Sequence, residues 1–155
     1  LPFFQSAAGV FASCDPDRYA SQMSRVAQTK PERVISGTPF TTVTVNRNWQ
    51  TAVHTDQGDL KEGLSLITAM EAGEYKGGYL VFPHYRVAVD LRNNDLMMFD
   101  SHHMHGNTAI IGKYKQWERI SCVLYFREKM VDCGTAAEEL ERAKHRKKGD
   151  ALYGD

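Results

Sequence analysis

The stretch TPFTTVTVNRNWQTAVHTD, residues 38–56, changes the character of the chain. Upstream of it, Tyr19, Met23 and Val26 recur at helical spacing behind an Asp15-Pro16 start, and Pro31 stops the run, so a helix is expected over about 16–30. Inside it the period drops to two. FTTVTVN (40–46) and WQTAVH (49–54) are β-branched and aromatic, separated by Asn46-Arg47-Asn48, and read as strands. The same pattern continues downstream in LSLITAM (64–70), YLVF (79–82), YRVAVD (85–90), DLMMF (95–99) and RISCVLYFRE (119–128). Glu71–Gly78, Asn93-Asn94-Asp95 and the polar Lys113–Gln116 read as turns and loops between them. Short strands at this spacing predict a mainly β fold with flanking helices, an all-β sandwich, barrel or jelly roll. The core is expected over about 38–128. A capping box at Thr135–Glu138 starts a basic C-terminal helix over about 135–148, whose lysines and arginines read as a solvated face or a phosphate contact. Residues 1–14 are apolar and small, and fit either a strand or a loop.

The bulk numbers set limits. At 155 residues, 42% of them hydrophobic and 25% charged, the chain has the size and composition of one globular domain, here 1–155. The formal net charge is zero, so a polyanionic partner would need a local basic patch. Cys14, Cys122 and Cys133 form no C-x-x-C pair, which argues against a zinc ribbon or disulfide framework, and Cys122 reads as a buried small hydrophobe. No apolar run approaches a membrane span and no signal peptide is recognisable, so an intracellular protein is expected, nuclear if eukaryotic. The start at Leu1 reads as an excised core or a processed chain.

The chemistry lies in the order H-x-D and then H. His54 and Asp56 are two apart, and residues i and i+2 on a strand share a face. The bend SHHMHGN (101–107) supplies three more histidines. His105, 51 residues after His54, is favoured because Gly106 allows close backbone approach; His103 shares its parity and His102 fits less well. Two histidines and a carboxylate form the facial triad that holds non-haem Fe(II) with open positions. Arg119 and Ser121 share a face at the head of the last strand. Pointing inward, they would form a carboxylate-binding pair.

With these parts together, the chain resembles the TET/JBP group of Fe(II)- and 2-oxoglutarate-dependent nucleic-acid base dioxygenases. The resemblance rests on His54-Thr55-Asp56, Gly77-Gly78-Tyr79-Leu80-Val81-Phe82, Met98-Phe99 before His105-Gly106-Asn107-Thr108, and Arg119-Ile120-Ser121-Cys122-Val123. It implies a double-stranded β-helix (jelly-roll, cupin-like) core, with His54, Asp56 and His105 as catalytic iron ligands. Arg119 would hold the far carboxylate of 2-oxoglutarate, with Ser121 and Val123 lining its slot. Asp59 matches a position that contacts the flipped base, and Arg47, Asn46 or Asn48 would hold the near carboxylate or the base. Arg127 stands where the family often has a base-contacting His, and the cysteine-rich flanks of animal members are absent. The implied reaction is oxidation of a methyl group on a DNA base flipped out of the stack. It consumes O2 and takes 5-methylcytosine to 5-hydroxymethylcytosine, in a monomer with no membrane partner. The alternatives are thymine, N6-methyladenine, a protein or small-molecule substrate, or a non-enzymatic cupin-like metal-binding module.

Overall fold

The structure is a computed structural model and describes residues 2–145. Among the described residues there are three α-helices: α1 (Pro2–Cys14), α2 (Pro16–Gln28) and α3 (Ala136–His145). Seven strands follow the order β1 (Thr42–Arg47), β2 (Ser65–Gly77), β3 (Leu80–Phe82), β4 (Val87–Val89), β5 (Leu96–Phe99), β6 (Gly106–Asn107) and β7 (Ile110–Tyr125). They build two antiparallel sheets, one in the order β1-β7-β2-β5 and the other β4-β3-β6. This is a double-stranded β-helix with flanking helices.

The period of two along the strands sends side chains to opposite faces. Leu66 of β2 and Leu124 of β7 face the helices and pack with Ala7, Ala8, Phe11 and Phe40. On the other face, Ile67, Ala69 and Phe99 meet Leu80 and Phe82 of the smaller sheet. Arg119, Ser121, Val123 and Tyr125, spaced by two on β7, look into the cavity that remains between the sheets.

The helix expected over 16–30 runs Pro16–Gln28, and Asp15 caps it by accepting from the Arg18 amide at 3.1 Å. Thr135 and Glu138 exchange amide hydrogen bonds at 2.7 and 3.3 Å, forming the expected capping box of α3. That helix is described only to His145, so Arg146, Lys147 and Lys148 lie outside the described residues. Cys122 is buried, as expected.

Several boundaries differ from the sequence reading. Of residues 1–14, those described form the helix α1, Pro2–Cys14, neither a strand nor a loop. Its outward face is Phe, Gly, Val and Ser, not charge, so the helical period left no contrast to read. The segment 49–54 is not a strand beyond a single bridge between His54 and His105. Asn107 holds it at Thr51, its Oδ1 accepting from the Thr51 amide at 2.8 Å and its own backbone amide donating to the Thr51 carbonyl at 3.1 Å. The turn expected over 71–78 is the continuation of β2, which pairs with β7 as far as Gly77↔Ile110. Lys113–Gln116 is not a connection between elements but an excursion within β7.

Candidate metal centre and its cavity

His54 and His105 are tied to one another before any ligand is considered. Their backbones exchange two hydrogen bonds, of 2.8 and 2.9 Å, and their rings lie 4.5 Å apart. The approach needs Gly106, because a Cβ there would sit 2.9 Å from Val53 Cα. The Asp56 amide donates to the Ser101 carbonyl at 2.9 Å, which fixes the third residue on the same bend. Asp56 Oδ1 then lies 3.4 Å from His54 Nε2, and Oδ2 lies 3.5 Å from His105 Nε2. The three donor atoms fall within 4.8 Å of one another.

The tautomers follow from the neighbours. His54 Nδ1 is 2.8 Å from the Ala52 carbonyl and His105 Nδ1 is 2.8 Å from the His103 carbonyl. A carbonyl oxygen only accepts, so each Nδ1 carries a proton, and in the neutral ring Nε2 presents the lone pair. Such backbone contacts orient metal-binding imidazoles and set their basicity. His102 is drawn instead to Asp100 (2.8 Å) and His103 to the Tyr85 hydroxyl (3.2 Å). Of the three histidines in the bend, His105 joins the donor set.

The triad is electrostatically biased towards a charged pair. The hydrogen-bonding ring of His105 holds the Asp56 carboxyl below its ordinary value of 3.8 against the opposing effect of burial. Burial lowers His105, but Asp56 and the contact with the His103 carbonyl outweigh it and raise the ring above 6.5. The metal-free protein therefore gains the full stability of this pair between 3.8 and 6.5, the ordinary values of the two groups. That gain fades as pH rises through the raised His105 value, and also as pH falls through that of Asp56. A divalent cation competes with the His105 proton, so its effect runs the other way. Thermal melts across pH 5–9 are expected to show a metal-induced rise in Tm that grows with pH through the His105 transition. A metal increment independent of pH in this range would refute the assignment.

The cavity beside the triad holds about 250 Å³. Arg119 enters it from β7, 6% exposed, and its Nε is a buried donor with no hydrogen-bond partner. Gly78, beside the guanidinium stem, lies in the left-handed region at φ +73°, which is what calls for a glycine there. A buried, unpaired cationic donor is costly unless a ligand completes it, and a carboxylate is the matching group. The donor set and this orphaned nitrogen fit Fe(II) together with a dicarboxylate such as 2-oxoglutarate.

Ser121, Val123, Asn46, Asp59 and Arg127 also line the cavity. Asp59 is buried, and its Oδ2 accepts from Ser101 (2.8 Å) and Ser65 (3.1 Å). Burial raises its pKa, and the two serine hydroxyls only partly offset this. The guanidinium of Arg127 lies over Gly58, where a Cβ would come within 2.7 Å of Cζ.

Two candidates are placed elsewhere. Arg47 alternates with the inward Asn46, so it leaves the cavity; its side chain is 74% exposed and pairs with Glu118 at 2.5 Å. Asn48, at φ +50°, holds the backbone of Arg119, exchanging bonds of 2.7 and 2.8 Å with its N–H and C=O. Neither residue lines the cavity, so neither is placed to take the near carboxylate or the base. Thr44, Tyr125 and Asn107 do line it and were not singled out by sequence. The signal was strand parity: Thr44 is two before Asn46, Tyr125 is two after Val123 and Asn107 is two after His105.

The fold and this donor set place the molecule among iron-type oxygenases of the double-stranded β-helix class. The profile of Tet_JBP, the oxygenase domain of the 2OGFeDO superfamily, matches residues 1–128, and the chain belongs to this family. It is 35% identical over 150 residues to the thymine dioxygenase JBP1 of Leishmania braziliensis, covering 93% of this chain and 18% of that protein. It is 40% identical over 111 residues to the bifunctional helicase and thymine dioxygenase JBP2 of Leishmania tarentolae, covering 72% of this chain and 10% of that one. The chain thus spans less than a fifth of the length of these relatives. The solved structure of NgTET1 in complex with 5mC DNA superposes with a TM-score of 0.68 at 15% identity, over 88% of this chain and 53% of that one.

Proposed function

We propose that this chain is an Fe(II)- and 2-oxoglutarate-dependent dioxygenase that oxidises the C5 methyl group of a pyrimidine in DNA, thymine ahead of 5-methylcytosine. The observation that carries it is one cavity holding three metal donors and an unpartnered buried arginine. His54, Asp56 and His105 would hold the iron through Nε2, a carboxylate oxygen and Nε2. Arg119 would take the far carboxylate of 2-oxoglutarate through charge-assisted bonds, with Ser121 and Val123 beside it. With both bound, the site couples decarboxylation of 2-oxoglutarate by O2 to hydroxylation of a C–H bond, releasing succinate and CO2. The protein's own contribution is position and dryness. The two Nδ1 contacts keep both rings in register, and Ile67, Leu80 and Phe99 keep water from the reacting face.

Sequence resemblance favoured 5-methylcytosine, and the relatives shift the preference. Proteins 35–40% identical to this chain are named thymine dioxygenases, whereas the structure bound to 5mC DNA is 15% identical. Asp59 suits either base. With Oδ2 already occupied by two serines, Oδ1 would accept from the thymine N3–H or the cytosine amino group. Reaching a methyl group in a duplex requires the base to leave the stack, at a few kcal/mol.

The test is anaerobic loading with Fe(II) and 2-oxoglutarate, then incubation in air with unmodified DNA or with 5-methylcytosine DNA. Nucleosides and succinate are measured by mass spectrometry. Hydroxymethyluracil matched by succinate, and lost in His54→Ala, is expected. Hydroxymethylcytosine alone would move the substrate to 5-methylcytosine. Succinate with neither product would end the DNA-base reading.

A further inference from the structure

The longest strand pair carries a feature that the chemistry in the cavity does not use. β2 and β7 stay in register to Gly73↔Trp117 and resume at Tyr75↔Gly112, so four residues, 113–116, stand opposite Glu74 alone. Bulges of this kind re-aim side chains at sheet edges and next to active sites. The backbone is built around it. Gly73 has φ +75°, and a Cβ there would lie 2.0 Å from the Gln116 carbonyl oxygen; a Cβ on Gly112 would lie 2.4 Å from the Trp117 ring. Trp117 rests on Tyr75 (centroids 5.4 Å), and the Arg92 guanidinium covers Tyr75 at 4.9 Å. Lys115 takes φ +58°, a conformation that a long side chain adopts only when its surroundings hold it there.

This scaffold presents Lys113, Tyr114 and Lys115 outward. Tyr114 is 85% exposed, and the Lys115 ammonium lies 5.2 Å from its ring centre. Lys76, paired with Ile111 on the neighbouring strand, adds a third cation. Among the described residues none of these three lysines has an ion-pair partner. An open groove of about 830 Å³ lies beneath the bulge and shares the 46–49 segment with the catalytic cavity. Asn46 and Trp49 line the cavity, and Arg47 and Asn48 line the groove. Tyr114 is five residues from Arg119, at most roughly 17 Å of strand. That span is about five steps of a DNA strand at ~3.4 Å each.

We propose that the Lys113-Tyr114-Lys115 bulge holds the phosphate backbone of the strand flanking the base in the cavity. The inference rests on the DNA-base reading above. A chain with zero formal net charge has no global attraction for a polyanion, so the contact has to be local. Phosphate contacts set position rather than sequence, which suits an exposed pair of ammonium groups near a base-sized cavity.

The experiment is fluorescence anisotropy of a short labelled DNA duplex with the iron- and 2-oxoglutarate-loaded protein, held anaerobically, between roughly 50 and 200 mM salt. The double variant Lys113→Ser/Lys115→Ser is expected to bind roughly tenfold more weakly. Its log–log salt dependence should be shallower by about 1.8, from ~0.9 for each phosphate no longer neutralised. The double variant Lys113→Arg/Lys115→Arg is expected to retain both. Affinity and slope unchanged in the serine variant, or weaker binding with no change of slope, would overturn the proposal. So would an effect confined to oligomeric state, which would make the bulge an interface between copies. If the unaltered chain binds and oxidises DNA while the serine variant matches it, this proposal fails and the base-oxidation reading stands. If the unaltered chain neither binds nor oxidises DNA, both fail. An unchanged urea midpoint and calorimetric affinity for 2-oxoglutarate would show that the variants remain folded.

Discussion

His105→Ala is expected to abolish oxidation and to weaken binding of a divalent cation by more than about 10²-fold, beyond what loss of an outer-shell partner costs. The reason is geometric. His105 supplies one of three donors and also the ring that sets the Asp56 carboxylate, 3.5 Å away. Its removal leaves a two-ligand site in which the carboxylate keeps only its contact with His54 from the donor set. The fold should survive, because the His54–His105 link is made by backbone amides and carbonyls that alanine retains. Circular dichroism should be unchanged while metal titration and succinate production collapse. His103→Ala is the control: that ring contacts the Tyr85 hydroxyl outside the donor set and should leave metal affinity within about twofold, the scale of a surface change under 0.5 kcal/mol. Equal losses in the two variants would remove His105 from the site.

Arg119→Met is expected to lower kcat/KM for 2-oxoglutarate roughly 10²–10³-fold. That corresponds to the 2–5 kcal/mol typical of truncating one partner of a buried, hydrogen-bonded charge pair. Metal affinity should persist, since none of the three donors touches the guanidinium. Stability in the absence of ligand should move the other way. In the free protein Arg119 Nε is buried without a partner. Replacing a side chain that leaves a buried donor unpaired by an apolar one of similar length removes that desolvation cost. A Tm equal to or above that of the unaltered protein, together with loss of 2-oxoglutarate binding by calorimetry, is the expected pairing. Unchanged 2-oxoglutarate affinity would show that the dicarboxylate lies elsewhere in the cavity.

Arg119 was legible from its strand parity with Ser121, and His105 from the glycine that follows it. His54 and Asp56 were read as a same-face strand pair, but beyond the His54–His105 bridge they stand outside the strands. The alternation in 40–46, 64–70 and 119–128 was enough to predict a β core, and the caps at Asp15 and Thr135 marked two helix starts. These signals are local, and local chemistry produces them: pleat, cap and turn preferences act over two to four residues.

What the chain alone did not disclose depends on contacts between distant segments. Arg47, Asn46 and Asn48 were equivalent candidates in one dimension. Pairing of β1 with β7 turned Asn46 inward, sent Arg47 to Glu118 and tied Asn48 to the Arg119 backbone. Asp59 was matched by resemblance to a base-contacting position. Only the fold brings Ser65 and Ser101 onto its carboxylate, from six and 42 positions away. The Lys113–Gln116 loop became a bulge because β2 runs six residues beyond Glu71, as far as Gly77, and supplies a partner strand. Periodicity therefore determined which strand residues share a face, Arg119 and Ser121 among them. Strand pairing across long separations decided which face closes over the cavity, because a side chain's partner there is set by register and not by its neighbours in the chain.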